Sequence, residues 1–282
     1  MVAAVAAFVL LATSCVTGDA VTKFASQSSQ SLSQGQPILK DIEGSCIRQH
    51  LAEQAVPSDV NQVLNPDAFK QAADDPACKA YAEVQPGELA ILKTLTDYFN
   101  AISALASNGA SGVKGEADTT KLKKSGEADN VIKATSSLSV FLGKVATDSY
   151  QAKHLSNDIK STDADVAVVV DALIEIVQQR YVGNQLVNEE HGITESYKDL
   201  LRQGPSPASS VLLRSQWEQE ITAIGDRKSA ADAWVKCLEQ IKEGHHKLAT
   251  EADKLNPQQA AALIQPYTDS LKSLLPTLQK LR

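Results

Sequence analysis

ASSVLLRSQWEQEITAIGDRKSAADAWVKCLEQIKEGHHKLATEADKL, residues 208–255, is the stretch around which the rest of the chain is organised. In its second half Trp234, Leu238, Ile241, His245, Leu248, Ala252 and Leu255 step by four and three in alternation, the spacing that keeps one stripe of a helix against a neighbour. Trp217, Ile221, Ile224 and Ala231 carry the apolar face backwards, so one helix of roughly a dozen turns at about 3.6 residues each is predicted. A helix that long is a scaffold, and its stripe requires burial along its length.

Composition agrees with a helical scaffold. Of the 282 residues 43% are hydrophobic, enough for a real core in one large or two small domains. Aromatics are only 5% and there is one Met, while Ala, Leu, Gln, Lys, Glu and Ser dominate, a mixture that suits helices and leaves few β-branched aromatic runs for strands. The fold class expected is all-α. The net charge of −7 and the lack of a basic cluster with interleaved aromatics argue against nucleic acid as a partner. Lys121, Lys123 and Lys124 come nearest to a patch and read as a solvated loop.

Residues 2–11 form an uninterrupted apolar run ending in Leu11-Ala12-Thr13-Ser14-Cys15, the length of a signal-peptide core and too short for a membrane span. The small residues immediately before Cys15 resemble the lipobox of bacterial lipoproteins. That resemblance covers about fifteen residues and implies a signal peptide over 1–14, a lipid on Cys15 and cleavage that leaves Cys15 first. It implies export and anchoring in the bacterial envelope, and Val16 in place of Asp after the cysteine implies the periplasmic face of the outer membrane. An ordinary secretory signal with cleavage nearby is the alternative.

Residues 15–36 are rich in Ser, Gln and Ala with few bulky side chains, the composition of a spacer that buries little, so they read as a lipid-anchored tether. A competing pattern runs through Ala25, Ser28, Leu32, Gly35, Leu39, Ile42 and Cys46 at helical steps and predicts a helix kinked near Pro37. The helical bundle domain is placed at 37–282, opening with a helix over 37–54. Export puts the thiols in an oxidising compartment, so Cys46 and Cys78 are the expected disulfide, with Pro57, Asn65-Pro66 and Asp74-Asp75-Pro76 breaking the chain between them. Cys237, on the stripe with Trp234 and Ile241, reads as a buried inert thiol, although its pairing with Cys46 or Cys78 stays open.

Farther along, Leu92, Leu95, Phe99, Ile102 and Ala106 predict an amphipathic helix over 86–107. Residues 108–129, with glycines, lysines and acids, read as a flexible loop. A helical face resumes at Val131, Leu138, Phe141 and Val145 and continues through Leu155, Ile159, Val166, Val170, Leu173 and Val177. Thr162 followed by Asp165 predicts an N-cap and a break at 161–165. Gln203-Gly204-Pro205-Ser206-Pro207 is the clearest turn, with Gly to end one helix and Pro to start the next. The expected architecture is an elongated antiparallel helical bundle with a long C-terminal helical hairpin, closed by a helix over 258–281 bent at Pro266 and Pro276.

Chemistry is sparse. The sequence has no glycine-rich phosphate loop, no G-x-S-x-G turn, no H-E-x-x-H and no C-x-x-C. Glu243 and His246 have the i, i+3 spacing of helix-bundle di-iron sites, with His245 beside them. None of His50, His154 or His191 has a Glu three residues ahead to supply the second pair. No metal, cofactor or catalytic residue is therefore assigned, and Glu243, His245 and His246 stay as weak metal candidates. The expected function is a non-catalytic, lipid-anchored envelope protein that presents a helical face to another envelope protein or to the cell wall. The alternative is a small-molecule- or metal-binding bundle, possibly an enzyme, with Glu243, His245, His246, Trp234 and Tyr197 lining a pocket between helices.

Overall fold

The computed structural model describes residues 5–54, 67–107, 119–146, 154–251 and 257–279, and their side chains from Gly18 onward except at 119, 120 and 257. The fold is an all-α bundle with no strand among the described residues. Helices α1 (Val5–Ser33) and α2 (Gly35–Glu53) lead into the short α3 (Ala68–Ala73), the long α4 (Pro76–Ala106), the short α5 (Thr119–Lys124) and α6 (Asp129–Val145). Then come α7 (Leu155–Glu175), a π-helical segment (Ile176–Gln185), α8 (Leu186–Arg202), α9 (Pro207–Glu251) and α10 (Pro257–Leu278). Helix α4 packs against α1, α2, α6 and α7, while α9 packs against α7, α8 and α10.

The predicted scaffold helix is α9, 45 residues long, or roughly 68 Å at about 1.5 Å per residue. Its stripe is buried as expected at Ile224, Ala231, Trp234, Leu238, Ile241, His245 and Leu248, while Trp217 and Ile221 are only part-buried and Ala252 and Leu255 lie outside the described residues; Cys237 is a fully buried free thiol. The turn before it has Gly204 at φ +72°, a left-handed backbone that glycine adopts without Cβ strain. Ser206 Oγ accepts from the Ser209 amide at 3.2 Å, capping the helix that Pro207 opens. With α7, the π segment and α8 running without interruption into that turn, the long hairpin is present. Val166, Val169, Val170, Leu173 and Val177 are buried helical positions within it.

The tether expected over 15–36 is corrected. Those residues belong to α1 as far as Ser33, and Val21, Phe24, Ala25 and Leu32 are in the main core. Composition misled because the few bulky residues share one face, and the buried Ser28 and Ser31 between them let α1 approach its neighbours closely. The competing reading of a bent helix is the correct one, with the bend at Gln34 rather than at Pro37. At that bend a Cβ on Gly35 would lie 1.9 Å from the Trp234 ring, and Trp234 Nε1 donates to the Ser31 carbonyl at 3.2 Å. Lower on the same pair of helices, a Cβ on Gly244 would meet the Phe24 ring at 2.6 Å.

Three further expectations change. Helix α4 begins ten residues earlier than 86, at Pro76, because Asp75 Oδ1 caps the Ala77 amide at 2.8 Å and Pro86 is accommodated inside the helix. The loop over 108–129 is ordered in its second half: Leu122 of α5 is fully buried and Ser125 fits against Gly87 of α4. Residues 108–118, like the breakers between 55 and 66, lie outside the described residues. No break occurs at 161–165, since Thr162 bonds within the turn to the Asp158 carbonyl at 2.7 Å and α7 runs through. The Cys46–Cys78 disulfide is formed, with a Cα separation of 5.5 Å, and it ties α2 to the first turn of α4.

Substituting Gly35 by Ala should destabilise the fold by about 1–3 kcal/mol through overpacking against Trp234. Gly225→Ala, at a position on α9 with nothing near its Cβ direction, should stabilise by about 0.5–1 kcal/mol. Urea unfolding of the two variants checks both signs.

Candidate functional site

The residues singled out for chemistry are divided by the fold. Glu243 is exposed and apart from the two histidines' contacts. His245 Nδ1 lies 3.0 Å from Asp163 Oδ1, and His246 Nδ1 lies 2.7 Å from Asp163 Oδ2. One carboxylate on α7 therefore engages both rings, because α9 presents consecutive residues to either side of it. Asp163 accepts only, which puts a proton on His245 Nδ1 and leaves Nε2 to accept from the Tyr98 hydroxyl at 2.8 Å. Thr162 Oγ1 lies 2.7 Å from both the Tyr98 oxygen and the Asp158 carbonyl and has one proton to give to either.

A hydroxyl, an imidazole and a carboxylate in series resemble acid-base machinery, but access decides against it here. Tyr98 is 0% exposed and His245 1%, sealed by Phe99 and Phe141 at ring-centroid distances of 5.2 Å from Tyr98. Burial lowers the His245 pKa against the opposing pull of Asp163, so the ring is held neutral. Burial likewise raises the Tyr98 pKa, withholding its phenolate. Trp234 fills the seam on the same helix, and Cys237 beside it has its thiol pushed up to about 12, chiefly by burial. These residues form a satisfied polar thread through the core.

The charged centre that sequence reading missed lies between α2, α8 and α9. Glu189 is fully buried and accepts from Ser45 Oγ at 2.6 Å, Arg48 Nε at 2.6 Å and Arg227 Nη2 at 2.7 Å. Asp41 accepts from Arg48 at 2.7 and 2.9 Å and from the Tyr181 hydroxyl at 2.6 Å. Burial alone would lower the Arg48 pKa, but the bonds to Asp41 and Glu189 more than offset it. Tyr181 comes from the π segment, whose widened turns direct its hydroxyl onto α2. Above this cluster opens a hollow of about 470 Å³, walled by Leu51, Ile193, Leu200 and Ala223, with Arg227 and Tyr197 on its lining. Arg227 Nε is buried with no hydrogen-bond partner.

A second carboxylate group surrounds Arg180, whose Nη1 donates to Glu88 at 2.9 Å and lies 3.7 Å from Glu127. The Glu88 carboxyl is pushed up to about 7: burial is the chief cause, Arg180 opposes it and Glu127 reinforces it. Both centres left a trace in the sequence. Glu189 falls on the stripe of Leu186 and Ile193, and Glu88 on that of Leu92 and Leu95; an acid on an apolar stripe signals a buried partner. The partner itself, contributed by a distant helix, left none.

Glu189→Ala should cost about 3–5 kcal/mol, because Arg48 and Arg227 lose the charge they surround; denaturant unfolding measures it. Glu88 titrates the other way from most acids. The folded state holds its proton more tightly than the unfolded chain, so it favours folding at low pH and that contribution fades as pH rises through about 7. The Tm difference between Glu88→Gln and the wild-type chain should therefore become more positive between about pH 5 and about pH 8.

Comparison with known proteins finds no matching family model, no similar curated protein and no similar solved structure, so the reading of these sites rests on their own geometry.

Proposed function

We propose that the protein is a non-catalytic envelope protein, held at the membrane by a lipid on Cys15, that presents the tip of its long hairpin to another envelope protein. The observation that carries this reading is the exposure of the tip. From Tyr197 to Ala223 no residue is buried; Ser196 is the last buried position going out and Ile224 the first coming back. Over that span Leu201, Val211 and Leu212 are 44%, 72% and 60% exposed. A groove of about 470 Å³ opens there between α8 and α9, lined by Tyr197, Leu201, Leu213 and Trp217 with Lys198 and Arg214. Apolar side chains gathered at the end of a projecting element suit a partner that covers them.

Anchoring at Cys15 fits the packing of α1. Only Val16 and Thr17 separate Cys15 from Gly18, where a Cβ would already lie 2.6 Å from the Ala106 carbonyl of α4. A lipid on Cys15 thus holds the bundle close against the bilayer instead of on a long leash. No helix among the described residues is long and apolar enough to cross a membrane. The outer membrane is proposed from Val16.

A ligand-binding role has one observation in its favour, the hollow beside Arg227 with its buried unpaired Nε. Of the residues first proposed to line a pocket, only Tyr197 borders it. Filling it with Ala223→Trp should abolish any ligand-induced rise in Tm; a rise that survives the substitution counts against a ligand at this site.

A photo-crosslinking residue at Leu212 should give one discrete adduct in the native envelope, and Leu212→Asp with Val211→Asp should remove the partner from a lipid-anchored preparation without lowering Tm. Absence of any adduct rejects the docking role. Cys15→Ser should release the protein from the membrane fraction; a variant that still sediments rejects the anchor.

A further inference from the structure

We propose that, when its disulfide is reduced, the corner between α2 and α4 is a Zn²⁺ site formed by Cys46, His50 and Cys78, with Asp75 as the fourth ligand. On α2 Cys46 and His50 are four residues apart and share a face. On α4 Asp75 caps the helix and Cys78 follows in its first turn. The two Sγ atoms and a ring nitrogen of His50 lie within 4.8 Å of one another, and His50 Nε2 is 3.7 Å from Asp75 Oδ1. Two sulfurs, an imidazole nitrogen and a carboxylate oxygen from two rigid helices form a donor set of the kind Zn²⁺ takes in tetrahedral sites.

Burial explains why the metal belongs to the reduced state. Cys46 and Cys78 sit among Ile47, Ala72 and Leu51, where two free thiolates would be penalised, whereas Zn²⁺ with two thiolates, a neutral His and one carboxylate carries a single negative charge at a half-exposed rim. A thiol reductant supplies the electrons: protein disulfide, two R–SH and Zn²⁺ give the zinc bis-thiolate, R–S–S–R and two protons. Oxidation by a disulfide reverses the step, re-forming the Cys46–Cys78 bond and releasing the metal. Either link closes the same chain segment, of sequence separation 32, so the corner stays joined in both states.

The test uses the full chain with Cys15→Ser and Cys237→Ala, leaving Cys46 and Cys78 as the only thiols. After reduction by a phosphine without oxygen it is titrated with Co²⁺ and then Zn²⁺. Expected are one Co²⁺ per chain with the intense ligand-field absorption of a tetrahedral thiolate site, displacement by Zn²⁺, and a Zn²⁺-dependent rise in Tm for the reduced chain alone. His50→Gln, at a half-exposed position that leaves the disulfide intact, should weaken binding by about tenfold or more. Asp75→Asn, which keeps the helix cap, should weaken it less. No Co²⁺ uptake by the reduced chain, a weakly absorbing octahedral spectrum, or an affinity unchanged by His50→Gln would overturn the proposal.

Discussion

The close approach of α1 to α9 governs the rest of the structure. Trp234 packs its indole against Gly35 at the α1–α2 bend and donates its indole N–H to the Ser31 carbonyl; Phe24 occupies the matching space over Gly244. Missing Cβ atoms let an indole and a phenyl ring occupy space that side chains would otherwise take. Because α1 is pinned in this way, α4 and α10 pack on its other sides, and Tyr98 and Phe99 of α4 reach His245 of α9 at centroid distances of 5.6 and 6.0 Å. A bend in the first two helices thus positions the aromatic centre of the bundle.

Charge is handled differently along the hairpin. Just below its exposed tip Glu189 is desolvated completely, and the cost is offset by Ser45, Arg48 and Arg227 converging on it. Such a cluster specifies register, since a shift of α8 by one turn would separate the carboxylate from both guanidiniums. At the tip the ion pairs are exposed ones within one turn, Lys198 with Glu195 and Arg214 with Glu218, which contribute little to rigidity. The side chains are thus held firmly where Glu189 sits and lightly at the turn.

The histidine chain illustrates how geometry separates chemistry from architecture. Asp163, His245 and Tyr98 have the donor-acceptor order of a proton relay, yet solvent reaches neither the phenol nor the Nε2 it binds. Neutral histidine in that setting serves as a two-sided linker, and the same carboxylate collects His246 from the surface. The interruption of the α9 stripe at His245 is a hydrogen-bonded seam between α4, α7 and α9.

The periodicities of the sequence determined the helical class, the length of α9, the hairpin turn at Gly204–Pro207 and the burial of Cys237, because each depends on residues adjacent in the chain or one turn apart. Cysteine number and expected compartment pointed to Cys46 with Cys78. Tertiary structure decided what composition could not: that the Ser- and Gln-rich residues of α1 are core, that Pro86 and Thr162 lie within continuous helices, and that Leu122 and Ser125 dock on α4. It also decided the partners of Glu189 and Glu88, which come from other helices, 38 positions away for Arg227 and more than ninety for Ser45, Arg48 and Arg180. Burial of small and polar side chains depends on what the opposite helix places against them, and local pattern carries no record of that surface.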